Sequence, residues 1–238
     1  MTKRSELAPF WDHVDELRSR MLISLVAVAI AAIVFYQVVD PVLRFVIKPV
    51  GRLVFTSPAD AFIARLLLTA LGGFIIAMPI VLYQTWVFIA LGLREKEKKF
   101  VRVYGPLSVL FFFAGLAFAY YVALPISLKF LLGFSSDWLV PMITVKSYVT
   151  FFMSLVLAFG VIFELPIILI FLTAIGIATP EFLVQKRRHA IVIILIVSAV
   201  ITPPDIITLL IMTLPLVFLY EIGLMASRIT YRRKLSKG

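Results

Sequence analysis

Charged positions in this chain are gathered into short clusters, and the stretches between them are apolar for the length of whole helices. Uncharged runs cover residues 21–39, 66–93, 103–128 and 147–180, the last interrupted only by Glu164. A helix rises about 1.5 Å per residue, so each run can cross a hydrocarbon core of about 30 Å. These four predict membrane spans. Two further runs, 189–204 and 206–220, hold only 16 and 15 residues, short of the roughly 20 that a span usually needs. They fit either a re-entrant hairpin or two short spans that thin the bilayer locally. Two spans joined by the turn ITPPD are preferred, because a lipid-facing hairpin tip would leave backbone groups unpaired.

The pattern therefore predicts an all-α integral membrane protein, a six-transmembrane-helix bundle in a single domain covering 1–238. The expected spans are 21–40, 66–92, 103–125, 148–176, 189–203 and 206–225. A helix at 1–20 precedes them, caps at 41–65 and 126–147 lie on one side, and loops at 93–102 and 177–188 with a tail at 226–238 lie on the other. Both caps mix apolar pairs with Lys, Pro and Gly, as expected of amphipathic elements resting at the interface. Pro79, Pro106, Pro125, Pro166 and Pro215 fall inside or at the edges of the spans. Each removes a backbone donor and tends to kink its helix, which predicts a curved or cupped bundle.

Composition agrees with the pattern. The chain is 62% hydrophobic and 15% charged, with a mean hydropathy of +1.08, well beyond the 45–50% apolar content typical of soluble domains. Orientation follows from the cations. Of the 23 Lys and Arg, 17 fall in the N-terminal segment, the second and fourth connections and the tail, and 6 in the two caps. The positive-inside rule then puts both termini in the cytoplasm. The net charge of +10 reads as membrane topology, with no nucleic-acid partner implied. The first run is longer than the apolar region of a signal peptide and is followed by DPVLRF, with no small-residue cleavage site, so it is expected to be a retained span.

Chemistry is sparse. There is no phosphate-binding loop, no HExxH, no GxSxG and no cysteine, so the motifs predict no enzyme, no cofactor and no metal site. His13 and His189 lie near the ends of spans without a serine arranged as a nucleophile. In PFWDHVDELRSRM, Phe10, Val14, Leu17 and Met21 form one apolar helical stripe, with Asp12, Asp15, Glu16 and Arg20 opposite. The plain reading of Glu16 is an exposed i, i+4 partner of Arg20; the plain reading of Glu95 and Glu97 in LREKEKKF is a solvated charge run. The functional reading is that carboxylates from both places share one surface and bind a cationic ligand. Paired carboxylates suit guanidinium, whose planar fork makes bidentate bonds.

HVDELRSR before the first span, YQTWVFIALGLREKEKK at the first inner loop, LAFGVIFELPI in the fourth span and ITPPD before the sixth together resemble the TatC family. TatC is the membrane subunit of the twin-arginine translocase, which exports folded proteins. The likeness runs from about Phe10 to Ser227. Each motif alone is weak, and their joint order is specific. The resemblance implies that Glu16 and Glu97 hold the twin arginines of a signal peptide, that Arg18 and Phe88 belong to the same signal-peptide-binding set, and that Pro49 matters for function in the outer cap. It also implies that Glu164, Asp205 and Glu221 are the family's intramembrane or span-edge acids. It further implies a glove-like bundle in the cytoplasmic (inner) membrane, TatA and TatB partners of one span each, self-association in a receptor complex, contact with membrane lipid, and export driven by the proton motive force. Two departures stand out: relatives often carry His or Arg beside the loop glutamate, so Glu95 could share its role, and Leu209 stands where some carry Gln.

The rival function is a proton-coupled small-molecule transporter using Glu164, Asp205 and Glu221 as a relay. Against it, no internal repeat is visible. Asp205 and Glu221 also lie at opposite ends of the sixth span. Glu164 itself is expected near mid-membrane. A charged acid there costs at least about 2.5 kcal/mol, which favours the neutral, hydrogen-bonding form. It is expected to be either an internal tie or a docking point for a transmembrane guest, with Gly160 one turn back giving room for a close neighbour.

Overall fold

The computed structural model describes residues 4–136, 138, 140–201 and 206–235. Among these the regular elements are all helices, with a single isolated bridge between Val54 and Thr144. Five helical stretches are long and apolar enough to cross a membrane: His13–Tyr36, Pro58–Leu91, Lys98–Leu132, Val145–Ile175 and Met212–Arg232.

Local chemistry sets the boundaries. Helix α1 (Arg4–Tyr36) runs unbroken from the charged N-terminal segment into the first apolar run, and α2 (Val39–Ile47) follows it closely. Helix α3 (Pro58–Leu91) begins ahead of its uncharged run because a capping box forms there. Asp60 Oδ2 accepts from the Ser57 amide at 3.2 Å, and the Ser57 hydroxyl accepts from the Ala59 amide at 3.4 Å. Pro58, whose missing N–H costs nothing in a first turn, sets the starting φ.

Helix α4 (Lys98–Phe118) continues through a π-turn at Ala119–Ala123 into α5 (Leu124–Leu132). Pro125 lies in the first turn of α5, and the wider turn before it absorbs the missing donor. Helix α6 (Val145–Ile162) stops at Phe163–Glu164, and α7 (Leu165–Ile175) starts afresh with Pro166 in its first turn. Gly176 then takes φ +88°, and the Gly176 and Ile177 amides fold back onto the carbonyls of Thr173 and Leu172. This Schellman closure needs a left-handed residue, which glycine supplies without strain. The short α8 (Pro180–Gln185), α9 (Arg187–Ile201) and α10 (Ile206–Leu235) complete the described chain.

The five prolines behave in two ways. Pro125 and Pro166 sit where the helical path changes, whereas α3, α4 and α10 continue through Pro79, Pro106 and Pro215. Helices in a membrane bundle tolerate proline where neighbours re-satisfy the freed backbone groups, so a proline in these spans need not end its helix. The expected fifth span falls on α9, which is shorter than the five stretches above, and the turn 202–205 with Pro203, Pro204 and Asp205 lies outside the described residues.

Packing centres on α6 and α7. In that stretch 56% of the most apolar window is buried, against 6% for α1, so the former is the hub and the latter a peripheral rib. Phe112, Leu124, Leu155, Phe159 and Ile167 are fully buried around it. Glycines permit the closest approaches: Gly115 faces the Phe159 backbone, Gly160 faces Phe112, Gly223 faces Pro166, and Gly73 faces the Ala32 backbone. Without a hydrophobic drive between helices in lipid, such small-residue contacts carry much of the association.

At one end of the bundle the two predicted caps join. The Val54 amide donates to the Ile143 carbonyl at 3.1 Å and the Val145 amide to the Val54 carbonyl at 2.8 Å. The Tyr148 hydroxyl donates to the Val46 carbonyl at 2.7 Å, and Arg65 pairs with Asp40 at 2.8 Å. Pro49 is exposed in the turn that closes α2, beside this junction.

Candidate functional site

The predicted polar residues fall into three places. The first is the end of the bundle away from the joined caps, where α1 enters and α3 leaves. Glu16 forms an ion pair with Arg20 one turn on, which is the plain reading made from spacing. The structure adds a second link: Arg20 Nη1 donates to Gln84 Oε1 on α3 at 2.8 Å. The carboxylate is thus oriented against the neighbouring helix through one guanidinium. The rings of His13 and Phe88 meet at 5.1 Å, which sets α1 at His13 against the last turn of α3. Arg18 is exposed on the same stretch and makes no ion pair among the described residues.

Directly after α3, the loop carries Glu95 and Glu97. The Arg94 amide donates to Glu97 Oε2 at 3.0 Å, and Lys98 pairs with the exposed Glu95 at 2.6 Å. Glu97 therefore closes the turn that precedes α4, using one oxygen for its own backbone. No hydrogen bond or ion pair links Glu16 to Glu97 among the described residues. What unites them is position: both stand at the same end, one on α1 and one on the loop that follows α3.

The second place is inside the bundle. Glu164 is 8% exposed at the joint between α6 and α7, and its carboxyl lies in hydrogen-bonding reach of the Ser108 hydroxyl on α4. The Trp86 indole N–H donates to the same Ser108 oxygen at 2.9 Å. Trp86 can only donate, so Ser108 must accept from it and is left with its own proton to give to Glu164. Trp86, Ser108 and Glu164 thus form one polar cluster reaching from α3 through α4 to the hub. Glu164 Oε1 is buried and has no hydrogen-bond partner among the described residues. The Trp86 ring is held edge-on by Phe171 at 4.8 Å, with Tyr104 beyond. Spacing alone could not single out Ser108 or Trp86, since each lies on a different span from Glu164. The one hint was that Ser108 is one of two serines, with Ser127, in the uncharged run 103–128.

The third place ties the last helices. Arg187 at the start of α9 faces Glu221 of α10 with its fork, Nε to Oε1 at 2.9 Å and Nη2 to Oε2 at 2.9 Å. The Tyr220 hydroxyl next to it donates to the Leu183 carbonyl at 2.7 Å. Glu221 is thus engaged within the chain, at the junction of α8, α9 and α10. Asp205 lies outside the described residues, so the structure brings it to no site. No group of three or more metal-ligating side chains occurs among the described residues.

Comparison with known proteins gives one answer from three directions. Residues 12–215 match the family model described as Sec-independent protein translocase protein (TatC). The chain is 37% identical over 241 residues to the Sec-independent protein translocase protein TatC of Desulforapulum autotrophicum, covering 98% of this chain and 89% of that one. It is 38% identical over 239 residues to the protein of that name from Aquifex aeolicus, covering 95% and 97%. It also superposes on the crystal structure of a twin arginine translocase receptor, TatC, with a TM-score of 0.84 and 36% identity, covering 92% of this chain and 99% of that one.

Proposed function

Because the chain belongs to the TatC family, and is by that membership a multi-pass membrane component of a Sec-independent protein translocase with a transport role, we propose that it is the receptor that binds twin-arginine signal peptides. The observation that supports this reading is that Glu16, tied through Arg20 to Gln84, and Glu97, in the loop after α3, stand on two different elements at one end of the bundle. Two arginines presented there would meet two separate carboxylates, and charge-assisted bonds to guanidinium are the strong kind. Glu95, released from Lys98, supplies a third acid at the rim. The proposal includes six spans, with α9 as the short fifth, a concave glove-like shape and both termini on the cytoplasmic side of the inner membrane. That sidedness is supported by the excess of Lys and Arg at this end.

Single-span partners of the TatA and TatB type, self-association of the receptor and drive by the proton motive force complete the reading. Within it, Glu164 is the docking point for a transmembrane guest. Ser108 satisfies one part of its carboxyl and leaves Oε1 for a donor from outside the chain. Asp205 and Pro49 keep the functional weight that the resemblance gave them.

The decisive experiment is site-specific crosslinking. Photoreactive probes at positions 16 and 97 are expected to capture a twin-arginine signal peptide. Probes on the joined caps, at position 49 for example, should not capture it. Equal capture at both ends, or none at 16 and 97, overturns the receptor reading. A second prediction concerns the buried acid. Glu164→Gln keeps hydrogen bonding and is expected to retain export within a few-fold, while Glu164→Leu reduces it by about tenfold, the value of roughly one hydrogen bond. Export into inverted membrane vesicles measures both, and equal rates for Gln and Leu would remove the docking role.

A further inference from the structure

A blind groove runs between α1 and α3. At the capped end the two helices touch, with Gly73 against the Ala32 backbone and Gly72 against the Phe35 ring. Towards the other end they separate around a cavity of about 740 Å³, walled mainly by apolar side chains including Leu17, Leu25, Val28, Phe74 and Val81. Its walls run from Val14 to Val28 along α1, about 21 Å at 1.5 Å per residue. That is somewhat more than half of a ~30 Å hydrocarbon core. Counted from the rim residue Arg18 to Val28 the slot runs ten residues, about 15 Å and so the depth of one leaflet, and the Gly72 and Gly73 contacts close its floor.

Polar groups gather near the open end of this groove. Arg20 is already neutralised by Glu16 and donates a hydrogen bond to Gln84, which leaves Arg18 as the cation at the rim without an acid among the described residues. A guanidinium there opposes, on charge, the very arginines that Glu16 is proposed to hold, so the receptor reading gives Arg18 no partner. The outer flank of α1 is exposed and apolar, with Ile23, Val26 and Ile30 outside the groove lining, and so the groove is bounded by a lipid-facing rib. An apolar slot one leaflet deep, floored by helix contact and topped by an unpaired guanidinium, has the complement of one ligand class.

We propose that this groove binds an anionic phospholipid, with one acyl chain between α1 and α3 and the headgroup phosphate on Arg18. A transmembrane peptide is the wrong length, because the Gly72 and Gly73 contacts close the slot before it reaches the far leaflet. Arg suits phosphate through its bidentate fork, and anionic headgroups lie at the depth where Arg18 emerges from the span. The proposal does not depend on the receptor reading, with which it shares only the location of Arg18.

The test is native mass spectrometry of the full chain, delipidated in detergent and titrated with phosphatidylglycerol or phosphatidylcholine. The wild type is expected to retain one phosphatidylglycerol at about tenfold lower lipid concentration than phosphatidylcholine. Arg18→Gln should erase that preference and Arg18→Lys should restore part of it. Val28→Trp, which fills the deep half of the slot and leaves the rim intact, should weaken retention of both lipids. Unchanged phosphatidylglycerol retention in Arg18→Gln or in Val28→Trp overturns the proposal. So does one-for-one displacement of the retained lipid by a synthetic twin-arginine signal peptide, which would make the slot a peptide site. Absence of crosslinks at positions 16 and 97 would sink the receptor reading and leave the lipid result standing.

Discussion

Glu97→Lys is expected to weaken binding of a twin-arginine peptide by at least about a hundredfold while the chain stays folded. The carboxylate offers a charge-assisted bond worth roughly 1.5–3 kcal/mol, and a lysine in its place adds like-charge opposition of the same order. Together they exceed the about 2.7 kcal/mol that a hundredfold change requires. Folding should survive, because the loop loses only the bond from the Arg94 amide to Glu97 Oε2, at a half-buried turn that water can reach. Glu97→Gln separates the two contributions: it keeps an acceptor for that amide and removes the charge, so affinity should fall by a smaller factor, about tenfold. Anisotropy of a labelled signal peptide, titrated with detergent-solubilised receptor, measures both variants. Unchanged affinity in Glu97→Lys would show that the arginines are held elsewhere.

The largest effect on stability is expected from Gly115→Val. A Cβ at that position would lie 2.5 Å from the Phe159 carbonyl oxygen and 3.0 Å from its carbon, and a backbone carbonyl in the hub helix cannot swing aside. Overpacking usually costs about 1–3 kcal/mol when side chains can yield; here α4 and α6 must move apart, so at least about 3 kcal/mol is expected. Gly160→Val, across the same seam, meets the fully buried Phe112 ring at 2.7 Å and should follow closely. Gly92→Ala is the control: its Cβ would find only the Ile89 carbonyl oxygen, 3.7 Å away. Thermal unfolding in detergent should show a clear loss for both valine variants and little change for the control. A Gly115→Val protein as stable as the control would mean that α4 and α6 are not in contact as described.

Much of the fold was legible because a bilayer imposes one rule on every span: apolar side chains over about 20 residues. The same rule explains where reading failed. It reports hydrophobic length and is blind to cap chemistry, so the start of α3 at Pro58 could be found only in the Ser57 and Asp60 bonds. It also treats all prolines alike, whereas Pro166 lies at a helix break and Pro79 is carried through. For the candidate site, the residue types were visible and their partners were not. The Glu16–Arg20 pair is local and followed from i, i+4 spacing. The bond onward to Gln84 joins two spans, and no periodicity within one helix can encode it.

Glu164 divides the two kinds of information most clearly. The sequence by itself determined that an acid sits deep in an apolar span, near a proline, and that water could not be its main partner there. Only the tertiary structure decided which groups answer it: Ser108 from α4, oriented by Trp86 from α3, with one carboxyl oxygen left over. The physical reason is range. Hydrophobic transfer acts on each helix separately and is written along the chain, whereas hydrogen-bond satisfaction acts between helices and exists only once they are packed.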